Sequence, residues 1–323
     1  MAKRLKHGRT AVAAAAAVAV TMCLAGFAPA VRAPADGAVG SAGATQPGSI
    51  VSAPTLIART ADGDVGYREV GSGSPILLIT GYGASMDSWA PSFVDALAAR
   101  HRVVVFDNAG VGETTALPSP LSIPAMAQQT SELISALRLG RPAVLGWSMG
   151  GQVAQALAVR HPEQVSRLVL AATQAGTGAS LPVPPAAAAA LNSPNPAVVL
   201  SVLFPADQLA AERTYAEGIL QYPDYYSAPA ATRAEQTLAV DQWMAGGDSA
   251  GRRIDRLRVP TLVADGMEDA LDPVANDQLL HRLIPGSKLV LSPDAGHAFL
   301  FQDSAQFVPT VESWLPRNPW NGR

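Results

Sequence analysis

Cysteine is almost absent: Cys23 is the only one among 323 residues. A single thiol rules out an intrachain disulfide framework and any multi-cysteine metal site. Charge is sparse, with 15% Asp, Glu, Lys and Arg, and aromatics make up only 6%. That charge content is too low for a coiled coil or a highly charged disordered chain. No glycine period or internal repeat occurs, which removes collagen-like and solenoid architectures. What the chain does have is apolar mass: 48% hydrophobic residues, punctuated by 28 glycines and 26 prolines. This is a globular composition at a length suited to one α/β-sized domain with an insertion.

Residues 1–10 carry Lys3, Arg4, Lys6 and Arg9, and Ala11 to Phe27 run almost wholly apolar. Small residues follow at Ala28-Pro29-Ala30 and Val31-Arg32-Ala33. A basic start, an apolar middle and an A-x-A-like end predict a secretory signal peptide over residues 1–30, and hence a secreted protein. Cleavage is expected after Ala30 rather than Ala33, because Pro34 would restrict the second peptide bond. The alternative is an uncleaved N-terminal membrane anchor, since the run approaches spanning length. Cys23 is preceded by Met22, not by the small residue usual before a lipid-modified cysteine. Removing the leader's four basic residues leaves 19 basic against 26 acidic side chains, a formal −7. A mature chain of that sign has no electrostatic reason to bind nucleic acid or anionic lipid. No stable membrane association is expected after cleavage, and the oligomeric state is left open.

Residues 31–52 are Ala, Gly, Ser and Pro with few large side chains, which predicts a flexible linker. Thr55–Thr60 and Asp64–Glu69, separated by Ala61-Asp62-Gly63, predict an antiparallel hairpin. Beyond Gly73, the short apolar runs Ile76–Ile79, Val103–Phe106, Ala143–Leu145, Val165–Ala171, Thr261–Ala264 and Leu289–Leu291 have the character of buried parallel strands. Helical spacing appears between them at Ser92–Arg100, Pro124–Leu137, Gly150–His161, Val274–Leu283 and Ser304–Trp314. The alternation predicts a doubly wound, mostly parallel α/β sheet, with ligands at the carboxyl ends of its strands. Residues 177–258 break the rhythm: a Pro-rich start and mostly helix-like material predict a helical cap inserted into a core of residues 53–176 and 259–318. Ala197–Phe204, the one apolar run there, is read as helix.

The strand Ala143–Leu145 runs into Gly146-Trp147-Ser148-Met149-Gly150, and a helical pattern follows at once. With 28 glycines the pentapeptide alone is a weak signal. Its strand–turn–helix context makes it a nucleophile elbow, which lifts Ser148 Oγ above the sheet. A serine hydroxyl needs a base to take its proton. Of the five histidines, His7 lies in the leader, while His101, His161 and His281 read as surface or helix-end residues. His297, in Pro293-Asp294-Ala295-Gly296-His297, follows the last strand at the carboxyl edge and is the candidate base. The imidazole in turn needs a carboxylate. After Thr261–Ala264 come Asp265, Glu268, Asp269 and Asp272, and Asp269 is favoured because the chain turns there before Pro273 opens a helix. Asp265 is read as a strand-end structural residue and Asp272 as a cap of that helix. Oxyanion donors are expected from the backbone N–H groups of Met149 and of Tyr82 in Thr80-Gly81-Tyr82-Gly83. Trp147, beside the nucleophile, is a candidate pocket residue. The insertion's Phe204, Tyr215, Tyr222, Tyr225, Tyr226 and Trp243 could line a cleft or simply pack the cap.

With these motifs in order, residues 55–316 resemble the α/β-hydrolase superfamily, specifically its esterase, lipase and non-haem-haloperoxidase-like branch with a helical cap. The resemblance also includes Asp107-Asn108-Ala109-Gly110-Val111-Gly112. Two positions depart from the family pattern: Thr80 stands where His is common, and Ala109 replaces a common Arg that would pair with an acid. The resemblance implies a serine hydrolase acting on small to medium apolar esters or lactones through an acyl-enzyme, with no cofactor and no metal. Perhydrolase or haloperoxidase-like, C–C bond and aminopeptidase chemistry use the same triad and remain alternatives, as does a non-catalytic binding protein of this fold.

Overall fold

The computed structural model describes residues 48–315. The expected leader, Cys23 and most of the expected linker lie outside the described residues. The linker's last residues depart from that expectation. Ile50 is fully buried, and its N–H donates to Asp95 Oδ1 at 2.8 Å in a 3-10 turn capped by Ser49. Composition averaged over small residues hid one large side chain with a place in the core.

Eight strands form one sheet: β1 (Leu56–Thr60), β2 (Gly63–Val70), β3 (Ser74–Ile79), β4 (His101–Phe106), β5 (Ala143–Trp147), β6 (Arg167–Ala171), β7 (Thr261–Gly266) and β8 (Lys288–Ser292), in the spatial order β1-β2-β4-β3-β5-β6-β7-β8. The expected hairpin is β1–β2, closed at the Thr60–Gly63 pair. β2 alone runs against the others. The apolar runs have no polar alternation because both sheet faces are covered. Ile76, Leu78, Val103 and Val105 pack into one layer, and Leu77, Ile79, Val104 and Phe106 into the other.

The helices of the core are α1 (Pro91–Ala98), α2 (Ile123–Ala136) and α3 (Met149–Arg160). Between β6 and β7 come α4 (Pro185–Leu191), α5 (Pro196–Leu200), α6 (Leu209–Ile219), α7 (Ala230–Met244) and α8 (Ser249–Arg252), and the chain closes with α9 (Ala275–Leu283), α10 (Phe299–Gln302) and α11 (Ser304–Trp314). Local signals explain several starts. Ser122 caps α2 by accepting from Ala125 N–H, and Pro91 occupies the first turn of α1, where its missing N–H costs nothing. The run 197–204 is helical only to Leu200 and then turns. Among the described residues no helix is long and apolar enough to cross a membrane.

His101 is not at the surface as its sequence suggested. It opens β4, is only 6% exposed, and lies 2.8 Å from Ser74 Oγ and 3.1 Å from Glu312. The missing arginine at position 109 is also accounted for. Asp107 accepts from Met86 N–H at 2.8 Å and from the Tyr226 hydroxyl, contributed by the insertion, while the nearby cation Arg68 pairs with Asp87. Burial still pushes the Asp107 carboxyl up to about 6 against the pull of those two donors.

Candidate active site

The strand order reverses at β3 and β5, so the loops leaving their carboxyl ends open the crevice where ligands of such sheets bind. Ser148 follows β5 with φ 58° and ψ −124°, a strained conformation for a residue with a side chain. The surroundings impose it. Ser148 N–H donates to Ala171 O at 2.9 Å, Thr173 Oγ1 donates to Ser148 O at 2.7 Å, and α3 starts at the next residue. Glycine is required on both sides: a Cβ on Gly146 would lie 2.3 Å from Gly150 O, and one on Gly150 2.1 Å from Ile79 O.

His297 sits on the loop after β8 and is 3% exposed. Its Nδ1 lies 2.6 Å from Asp269 Oδ2, and Asp269 Oδ1 accepts from Leu271 and Asp272 N–H at 2.6 and 2.8 Å. Trp147 Nε1 donates to His297 O at 2.9 Å. Burial works to lower the His297 pKa, but the charge and hydrogen bond of Asp269, aided by Asp272, outweigh it and leave the imidazole above its ordinary value. With Nδ1 committed, Nε2 is the nitrogen available to a proton donor. Met149 opens α3, so its N–H has no carbonyl one turn back. Gly81 lies against Ser148, where a Cβ would meet Ser148 Cβ at 3.1 Å. The Tyr82 loop is held by Asn108 Nδ2 on Thr80 O at 3.0 Å and by Gly83 N–H on Gln236 Oε1 at 2.8 Å. The Asn108 bond anchors this loop where Thr80 replaces the family's histidine.

Ser148, His297, Tyr82 and Met149 line one cavity of about 470 Å³. The insertion contributes an aliphatic wall there, including Val183, Ala188, Leu191, Val240 and Met244. Its aromatics are employed elsewhere: Tyr215 and Tyr222 donate to Ser88 O and Trp89 O, and Phe204 packs at a tilt against Tyr215. Trp147 is likewise corrected from a pocket residue to a core one. It is 5% exposed and packs edge-on against Phe301 at 5.1 Å.

The acids around the site separate into distinct roles. Glu268 is exposed. Asp265, next to last in β7, is buried and accepts from Gly266 N–H at 2.7 Å. Asp272 does not cap α9, whose N-cap is Val274; its Oδ1 instead accepts from Asn276 Nδ2 at 2.6 Å in full burial. Sequence reasoning missed Asp277, because only folding brings its carboxyl beside those of Asp265 and Asp272. Among the described residues, Asp265, Asp272 and Asp277 form the group with cation-ligand spacing, their carboxylate oxygens lying within 4.8 Å of one another. Burial and the neighbouring Asp269 raise Asp272 to about 7, and Asp265 and Asp277 are raised as well, chiefly by burial.

An acid whose folded pKa exceeds its unfolded one makes the folded state bind more protons, so stability falls as pH rises from about 4 through that folded pKa. Raised His297 acts in the same direction, losing stability as pH climbs through its folded value. The melting temperature is therefore expected to fall by several degrees between about pH 5 and pH 8. Asp272→Asn, which keeps the acceptor for Asn276, should raise it at pH 8 more than at pH 5. Thermal melts at the two pH values check this, and equal shifts would contradict it.

A family profile for the alpha/beta hydrolase fold matches residues 74–304. The chain belongs to the alpha/beta-hydrolase family. A poly(3-hydroxyalkanoate) depolymerase of Ectopseudomonas oleovorans is 31% identical over 245 residues, covering 75% of this chain and 84% of the relative. A putative carbamate hydrolase of a Caulobacter species is 30% identical, covering 77% and 95%. Among solved structures, an alpha/beta hydrolase fold protein from Chitinophaga pinensis superposes with a TM-score of 0.73 at 23% identity, covering 84% of this chain and all of that one. A thermophilic esterase from Thermogutta terrifontis gives 0.62 at 26% identity, covering 81% and 98%. These relatives make the chain a hydrolase of this fold.

Proposed function

We propose that the chain is a serine hydrolase of small to medium neutral carboxylic esters or lactones. The observation that carries this reading is the Asp269–His297 pair converging with Ser148 on one cavity. Ser148 Oγ attacks the carbonyl as His297 Nε2 takes its proton, and Asp269 holds the imidazole tautomer and offsets its positive charge. The N–H groups of Met149 and Tyr82 receive the oxyanion. His297 returns the proton to the leaving alcohol, and water then opens the acyl-enzyme by the same route. This path uses no cofactor and no metal.

Substrate class follows from the wall. The part supplied by the insertion is largely aliphatic, Asp241 is the one acidic side chain of the lining, and the lining offers no Lys or Arg to an anion. Relatives named as a poly(3-hydroxyalkanoate) depolymerase, an esterase and an enol-lactonase lend support to ester and lactone chemistry. Residues 177–258 act in this reading as a cap that limits substrate size, and residues 1–30 as a cleaved export signal. On p-nitrophenyl esters from acetate to palmitate, kcat/KM should peak at short or medium chains. A maximum at palmitate with activation at an oil–water interface would overturn the size limit.

A further inference from the structure

The two oxyanion donors have different supports. Met149 N–H stands at the start of α3, which leaves β5 after a single residue, so the core alone places it. Tyr82 N–H belongs to the loop after β3, and the insertion grips that loop at three points. Gly83, at φ 68°, donates its N–H to Gln236 Oε1 at 2.8 Å and accepts the Ala228 N–H on its carbonyl at 2.9 Å. Tyr82 Oη donates to Asn192 Oδ1 at 2.6 Å, and Asn192, which ends α4, is itself oriented by its Nδ2 on Ala188 O at 2.9 Å. Gln236, Ala228 and Asn192 all lie between β6 and β7. They hold Tyr82 by the peptide that follows it and by the tip of its side chain.

Gln236 sits within α7 and is fully buried. The Gly83 N–H can only donate, so the oxygen of the Gln236 amide faces the loop, and its Nε2 is left buried with no partner among the described residues. A buried donor without a partner is costly and calls for an explanation. Stability alone is poorly served, because the bond gained at Gly83 is offset by the one lost at Nε2. We infer that Gln236 is a positioning residue for the oxyanion hole: it fixes the peptide joining Tyr82 to Gly83 and so aims the Tyr82 N–H, with the Tyr82–Asn192 bond as the second hold. The insertion then supports the transition state as well as limiting the cavity. A donor misplaced by about 1 Å can cost on the order of 10²-fold in rate, and the loss falls on the charged intermediate rather than on bound substrate. This inference rests on the serine-hydrolase reading above.

The test measures kcat and KM on p-nitrophenyl butanoate together with the affinity of two inhibitors. Butyl trifluoromethyl ketone adds to an active serine and places an oxyanion in the hole, whereas the corresponding trifluoromethyl alcohol forms no adduct. Gln236→Met, similar in length without the acceptor, should lower kcat by about tenfold or more with KM held within about twofold, and should weaken the ketone by a similar factor while leaving the alcohol unchanged. Gln236→Glu, which keeps an acceptor oxygen, should recover part of both losses. Tyr82→Phe, which removes only the hydroxyl, should lower kcat by about threefold with the same split. A folded Gln236→Met protein with unchanged kcat would overturn the inference, as would one in which KM, ketone and alcohol all weaken together, the mark of a residue that only shapes the pocket. Unchanged kcat in Tyr82→Phe would overturn it even if Gln236→Met did not fold. A folded wild-type protein that cleaves no ester, binds the ketone no better than the alcohol and leaves Ser148 unreactive would instead overturn the hydrolase reading.

Discussion

Ser148→Ala and His297→Ala should each lower kcat for a good ester by at least about 10³-fold, and the double mutant should lose little more. The expectation of non-additivity follows from the geometry. His297 Nδ1 is committed to Asp269, so its only use to Ser148 is through Nε2. Removing the hydroxyl leaves nothing for the base to activate, and removing the base leaves a hydroxyl that is a poor nucleophile. What survives either loss is substrate binding and the two backbone donors. Asp269→Asn should also be severe, roughly 10²- to 10⁴-fold, because an amide can present its N–H to Nδ1 and select the wrong tautomer. Steady-state kinetics on variants with unchanged circular dichroism check all four. Losses that multiply in the double mutant would mean that the two residues act separately.

Gly150→Ala should damage the fold itself. The added Cβ would lie 2.1 Å from Ile79 O and 2.7 Å from Thr80 O, both backbone atoms at the end of β3, so no side chain can swing away to admit it. Either α3 moves off the sheet or β3 shifts, and both carry parts of the candidate site. A cost above roughly 3 kcal/mol is expected, a drop of about 6–12 °C in melting temperature if the variant folds at all. Gly140→Ala is the contrast. A Cβ there meets nothing within 4 Å, although φ is 64°, so the cost should stay near roughly 1 kcal/mol of backbone strain. Thermal melts of the two variants separate close contact from conformational preference, and similar losses in both would contradict the argument.

The parts of this molecule that could be read from sequence are those where local pattern and tertiary role agree. The apolar runs mark strands because both sheet faces are covered, and the glycines at 146 and 150 mark the elbow because strand and helix touch there. Asp269 was legible from its position in a turn between β7 and Pro273. Other features had only tertiary causes. Ile50 looks like linker until Asp95, 45 positions away, receives its N–H. Asp265 reads as a strand-end residue, Asp272 as a helix cap and Asp277 draws no notice, and only folding brings their carboxyls together without solvent. Trp147 adjoins the nucleophile in sequence, yet strand alternation turns its ring into the layer beneath His297. The insertion's tyrosines were ambiguous for the same reason: an aromatic ring can line a cavity or fasten one element to another, and here the hydroxyls of Tyr215, Tyr222 and Tyr226 reach Ser88 O, Trp89 O and Asp107.

If Ser148 is an activated nucleophile, intact-mass analysis after exposure to a fluorophosphonate probe will reveal it, because only an activated serine is labelled rapidly. The expected result is one adduct per chain, mapped by peptide analysis to Ser148, absent in Ser148→Ala and formed far more slowly in His297→Ala. An unlabelled folded protein that still hydrolyses esters, or an adduct mapped to another serine, would contradict it.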